Sequence, residues 1–99
     1  MQMLRVESIA PMPPSLKPPS PSQSLTSLRD VLAYNVRACR VVIGLSQEQL
    51  GFSANLDRTF ISQVERARIN VSIDNIEKLA TALGVSASAL LERPASTRR

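Results

Sequence analysis

Apolar positions recur at helical spacing from about Thr26 onward, with Leu28, Val31, Leu32, Val36 and Cys39 on one stripe. That period predicts a first helix reaching about Val42, with Ser27 and Asp30 placed as a capping pair and Gly44 as its left-handed end. Ser46 followed three residues later by Gln49 repeats the reciprocal capping pattern and opens a second, short helix. It stops at Ala54 and Asn55, since asparagine tolerates the left-handed backbone of a tight turn. Asp57 is placed to cap a third helix running to about Arg66. After the loop ARINV, with Asn70 as its expected turn residue, Ser72 caps a fourth helix. Its stripe is Ile73, Ile76, Leu79, Ala80 and Leu83, closed by Gly84. A fifth, short helix has Ser86 as cap and Ala89, Leu90 and Leu91 as its buried or paired face, and Pro94 stops it. Five short helices with brief connections and no alternating segment predict a compact all-α fold.

The stretch before this domain differs in kind. MQMLRVESIAPMPPSLKPPSPSQS holds all but one of the seven prolines and has no sustained period, so residues 1–24 are expected to be a disordered proline- and serine-rich extension. Residues 25–93 form the helical domain, and 94–99 a flexible tail. No apolar run reaches the length of a membrane span, and the N-terminus lacks the long apolar stretch of a secretion signal. Cys39 stands alone, which excludes an internal disulfide and fits a reducing compartment; its expected place is in the core. The expected location is therefore cytoplasmic.

Ninety-nine residues suffice for one small domain and leave little room for a catalytic cleft. The formal charge of +4 is spread thinly, because the helical domain carries only one more basic than acidic side chain. Bulk basicity is thus a weak argument for nucleic acid, and the local cluster Arg58, Arg66 and Arg68 is a better one. Enzyme chemistry finds no footing: there is no histidine, no paired cysteine, no glycine-rich phosphate loop and no recognisable acid pair. No cofactor, metal or small-molecule ligand is implied.

The second and third helices carry the chemistry. Leu50, Leu56, Ile61 and Val64 are their apolar members, and Gly51 has no side chain to hold the two helices apart. The other face of the third helix shows Arg58, Thr59, Ser62, Gln63 and Arg66, which is the shape of a helix-turn-helix whose second helix, about 57–66, reads double-stranded DNA. In the major groove each base pair presents its own donors, acceptors and methyl groups, so Arg58, Thr59 and Gln63 are the candidate base contacts. Gln47, Ser62, Arg66 and Arg68 are the candidate phosphate contacts, assisted by the free amides of helix N-termini. Three of them have a plainer alternative: solvation for Gln47 and Ser62, and a surface ion pair of small worth for Arg66. Asp57 is read as a cap. Glu65 is expected to pair with Arg40 of the first helix as a structural brace.

NVRACRVVIGLSQEQLGFSANLDRTFISQVERARINVSIDNIEKLATALGVSASALLE resembles the phage-repressor-like, XRE-type helix-turn-helix family of transcriptional regulators, over roughly two thirds of the chain. The motifs LSQEQL, ISQVER and IEKLATALGV carry the likeness, and NLDRTFIS is similar to the controller proteins of restriction-modification operons. The resemblance implies Gln47 on phosphate, Arg58, Thr59 and Gln63 facing bases, the Arg40–Glu65 brace, and a homodimer formed by the last helices on a near-palindromic operator. Val85, Leu90 and Leu91 are the expected dimer contacts. The chain departs from the family pattern at Ala67, where glycine is frequent, at Ile69, where arginine is frequent, and at Phe60, which lacks the hydroxyl of a common tyrosine. A competing reading is a helical protein-interaction module, or an antitoxin that holds a partner protein. Phe52, an aromatic at a position expected to be exposed, favours it, whereas the polar face of the third helix favours DNA.

Overall fold

The computed structural model describes residues 27–94. The expected disordered extension at 1–24 lies outside the described residues, as does the tail beyond Pro94. Five helices form the described region: α1 (Leu28–Ile43), α2 (Gln47–Ala54), α3 (Arg58–Glu65), α4 (Ile73–Leu83) and α5 (Ala87–Leu90). No strand occurs among the described residues.

Local signals account for most of the boundaries. Ser27 with Asp30, and Ser46 with Gln49, each form the full capping box, hydroxyl to backbone N–H and acceptor side chain back to the cap amide. Ser72 and Ser86 cap α4 and α5 through their hydroxyls, and Gly44 and Gly84 end α1 and α4 in the left-handed conformation. Between the capped ends, every helix sends its apolar stripe to one cluster. Leu32 and Val36 of α1, Leu50 and Ala54 of α2, Ile61 and Val64 of α3, Ile76, Leu79, Ala80 and Leu83 of α4, and Leu90 of α5 meet there.

Five expectations need correction. Ile73, placed in the α4 stripe by its spacing, is 81% exposed. It is the first residue after the Ser72 cap, so it projects beyond the rim of the core that Ile76 begins to cover. Cys39 is only partly buried at the edge of the cluster, because Val36 one turn earlier takes the central position. The loop after α3 reverses at Ala67, whose φ is +57°, and not at Asn70. The Ala67 N–H reaches the Val64 carbonyl at 3.0 Å and the Arg68 N–H reaches that of Gln63 at 3.0 Å. This is the paired bonding of a Schellman helix end, formed here on an alanine.

Finally, α5 ends at Leu90, well before Pro94. The Asn35 side chain explains the early stop. Its Nδ2 donates to the carbonyls of Leu90 at 2.8 Å and Glu92 at 2.9 Å, with a longer contact of 3.4 Å to Ala89. The end of α5 is thereby tied back to the middle of α1, and Leu90 becomes fully buried within its own subunit. A side chain with no accessible surface offers nothing to a second copy, so Leu90 is removed from the expected dimer contacts. Val85 and Leu91 remain partly buried against the same cluster.

Candidate nucleic-acid interface

The close approach of α2 and α3 depends on two positions in the connection between them. Asn55 adopts φ 60°, ψ 44° and ends α2, with its N–H bonded to the carbonyls of Gly51 and Phe52. Gly51 lies under the turn, where an added Cβ would stand 2.6 Å from the Leu56 carbonyl oxygen and 3.4 Å from the Arg58 nitrogen. Only a residue without a side chain lets the turn close at this distance. Asp57 then starts α3, its carboxylate accepting from the Thr59 N–H at 3.0 Å.

The sides of α3 separate sharply. Ile61 and Val64 are buried, and Phe60 is half-buried against the core. Arg58, Thr59 and Arg66 are exposed, and Ser62 and Gln63 are partly so. Helical spacing puts Arg58, Thr59, Ser62 and Gln63 on the outward side of one eight-residue helix, about 12 Å long at 1.5 Å per residue, and Arg66 follows as its C-cap. Arg68 follows the Schellman turn and is exposed as well. Asp57, although acidic and near the front of this surface, is engaged by the Thr59 amide.

Behind that surface lies a polar node joining three helices. Arg40 donates from Nε to Glu65 Oε2 at 2.6 Å and from Nη2 to Oε1 at 2.9 Å, a two-pronged ion pair with side-chain exposures of 12% and 4%. Arg40 Nη1 also donates to the Leu45 carbonyl at 2.9 Å, which fixes the α1–α2 connection. Gln47, read from sequence as a phosphate contact, enters the same node: its Nε2 donates to Glu65 Oε1 at 3.1 Å. The structure therefore brings Arg40, Gln47 and Glu65 together, while Arg58, Thr59, Ser62, Gln63, Arg66 and Arg68 stand apart from the node on α3 and its exit.

Asn35 is the functional-scale feature that sequence reasoning did not find. Its only sequence signal is an asparagine, a poor helix interior residue, one position before the core residue Val36. Burial pushes the Cys39 thiol and the Tyr34 phenol above their ordinary pKa values, so Cys39 is less of a thiolate at neutral pH than a free cysteine. Among the described residues no group of His, Cys, Asp and Glu could hold a metal, and no helix is long and apolar enough to cross a membrane.

Comparison with known proteins bears directly on this arrangement. A helix-turn-helix family model matches residues 36–90, more than half of the chain. A hypothetical transcription factor of Neisseria meningitidis is 57% identical over 67 residues, 68% of this chain and 63% of that protein. The chain thus spans a little under two thirds of that relative. Control protein C.BamHI of Bacillus amyloliquefaciens is 45% identical over 67% of this chain and 83% of its own length. Among solved structures, the Neisseria transcription factor NHTF superposes with a TM-score of 0.73 at 51% identity, covering 80% of this chain and 91% of that one. The restriction-modification controller protein C.AhdI of Aeromonas hydrophila gives a TM-score of 0.61 at 44% identity, covering 63% of this chain and 94% of that one.

Proposed function

Because the chain belongs to the helix-turn-helix family of DNA-binding transcription regulators, we propose that it acts as a homodimer on a near-palindromic operator, with one α3 per subunit in successive major grooves. The observation that carries this reading is the outward side of α3. Its Arg58, Thr59 and Gln63 are side chains that distinguish base edges, and capped ends and the Gly51 turn hold the helix rigidly. Arg58 reaches a guanine edge with two donors, Thr59 offers a hydroxyl or its methyl group to a base, and Gln63 reaches the same groove one turn on. Gln47, Ser62, Arg66 and Arg68 meet phosphates on either side and set the register.

Dimerisation follows from the small size of the interface one domain can present. Two copies related by a two-fold axis would set their α3 helices about 34 to 36 Å apart, one turn of the duplex. Val85 and Leu91 are the remaining candidates from the last helices for this contact. The protein is proposed to be cytoplasmic, and regulation and not catalysis is its proposed role.

Phe52 supports a second reading. It is 89% exposed on α2, a large apolar side chain in water, as on a module or antitoxin that holds a partner protein. One measurement separates the two: binding of the purified protein to its own upstream region and to unrelated DNA at two salt concentrations, with solution mass recorded. A dimer that prefers one fragment at the higher salt supports the regulator; weak, indiscriminate and salt-sensitive binding sinks it in favour of the partner-holding module.

A further inference from the structure

Helix α1 carries two apolar stripes, and only one of them reaches the core. Leu32, Val36 and Cys39 face the cluster shared by all five helices. Val31, Tyr34, Ala38 and Val41 form the second at steps of three and four residues, and helical spacing sets it roughly opposite the first. Val31, Ala38 and Val41 are neither in the core cluster nor among the partly buried residues packed against it.

This outer stripe is nevertheless withdrawn from water. Val31 has no accessible surface, Ala38 is buried, and Tyr34 and Val41 are partly buried. On its flank the Arg37 Nε is buried as well, without a hydrogen-bond partner. Burial also pushes the Tyr34 phenol above its ordinary pKa. From Asp30 to Val42 no residue of α1 is exposed, and a helix buried all round has neighbours all round. The helices that touch α1 approach from other directions: α3 at Arg40 through Glu65, α5 at Asn35 through its carbonyls, and α4 at the core stripe. The burial arises within a single chain, so a second copy is not its source.

Outside residues 27–94 the chain has two segments to offer. Residues 95–99, ASTRR, hold no large apolar side chain. Residues 3–10, MLRVESIA, hold Met3, Leu4, Val6 and Ile9 and no proline. Between them and α1 lie residues 11–26, with six prolines. At about 3.1 Å per residue such a connection spans up to about 50 Å, whereas the stripe from Val31 to Val41 is about 15 Å long.

We infer that residues 3–10 dock on the outer stripe of α1 in the same chain, with Leu4, Val6 and Ile9 covering Val31, Ala38 and Val41. Residues 11–26 are the returning connection. The contact is independent of the regulator reading, and it makes the N-terminal segment a working part of the domain.

The chain has one tyrosine and no tryptophan, so the fluorescence of Tyr34 reports on this stripe. In the full-length protein, Val6→Asp combined with Ile9→Asp should unseat the segment, because carboxylates do not stay on a buried apolar face. Acrylamide quenching of Tyr34 then rises and its phenol ionisation moves down toward the ordinary value, while the helical circular dichroism of the domain is kept. Leu16→Asp, in the connection, should leave both at their wild-type values. Unchanged quenching in the double variant overturns the inference, and so does an equal response to Leu16→Asp. Quenching that rises on dilution of the wild-type protein, in step with a fall in solution mass, overturns it in favour of a segment supplied by a second copy. Nuclear Overhauser contacts between the methyl groups of Val6 or Ile9 and those of Val31 or Val41 are expected in the unmodified full-length protein, and their absence overturns the docking without recourse to any variant.

Discussion

Ala67 and Gly51 occupy positions where the backbone and the side chain are in tension, in opposite senses. A left-handed alanine is strained by about 1 to 2 kcal/mol relative to glycine, and glycine gives back about 0.5 to 1 kcal/mol through the freedom of the unfolded chain. The first effect is the larger, so Ala67→Gly should stabilise the domain by about 0.5 to 1 kcal/mol and raise its melting temperature by a few degrees. A lower melting temperature would show that Ala67 is not strained. Gly51→Ala inverts the reasoning. Helix propensity alone makes alanine better by about 1 kcal/mol, but the new Cβ meets a backbone oxygen at 2.6 Å, and a carbonyl between two packed helices cannot rotate away. Overpacking of this kind costs about 1 to 3 kcal/mol, so the urea midpoint should fall with its slope unchanged. An unchanged or higher midpoint would mean that the α2–α3 turn adjusts freely. The sequence shows Gly51 as a small residue between helices and Ala67 as a departure from a family pattern; neither the 2.6 Å approach nor the positive φ is visible without coordinates.

At the scale of elements, the boundaries were legible because caps are local. Ser27 with Asp30, Ser46 with Gln49, Asn55, Asp57, Ser72, Gly84 and Ser86 all act within one helical turn of their own position, so a linear reading finds them. The end of α5 is different, for its determinant is Asn35, more than fifty residues earlier. Pro94 looked like the stop, and the actual stop is the capture of the α5 carbonyls. The same long-range contact hides Leu90, which a short apolar helix near the C-terminus left free to be read as a dimer face. Asn35→Ala leaves the Leu90 and Glu92 carbonyls without this donor and should destabilise the domain by about 1 to 3 kcal/mol. Amide exchange locates the effect. Residues 87–92 should lose protection far more than the α2–α3 region, and uniform loss across all helices would show that the clamp serves the whole core and not α5.

The whole molecule presents a thin basic surface on a nearly neutral domain, so the arrangement of its cations decides the function more than their number. Arg58 stands at the first position of α3, and Arg68 stands beyond the Schellman turn, about one helix length away. The sequence places both among the candidate DNA contacts, Arg58 on the outward side of α3 and Arg68 just beyond it, and both are exposed, but exposure alone does not separate a base contact from a phosphate contact. Thermodynamics does. A cation on phosphate releases counterions whatever the sequence, whereas a guanidinium on a base edge discriminates one base pair. Arg68→Ala should therefore weaken operator and random DNA alike and reduce the salt slope of binding by about one. Arg58→Ala should weaken operator binding by about 1 to 3 kcal/mol, relax the preference at a single base pair in each half-site, and leave random DNA far less affected. Titrations of both variants against operator, a set of single base-pair substitutions and random DNA, each at several salt concentrations, supply the comparison. Equal losses on operator and random DNA for Arg58→Ala would remove that arginine from base reading and shift the discrimination to Thr59 and Gln63, which lie deeper along the same side of α3.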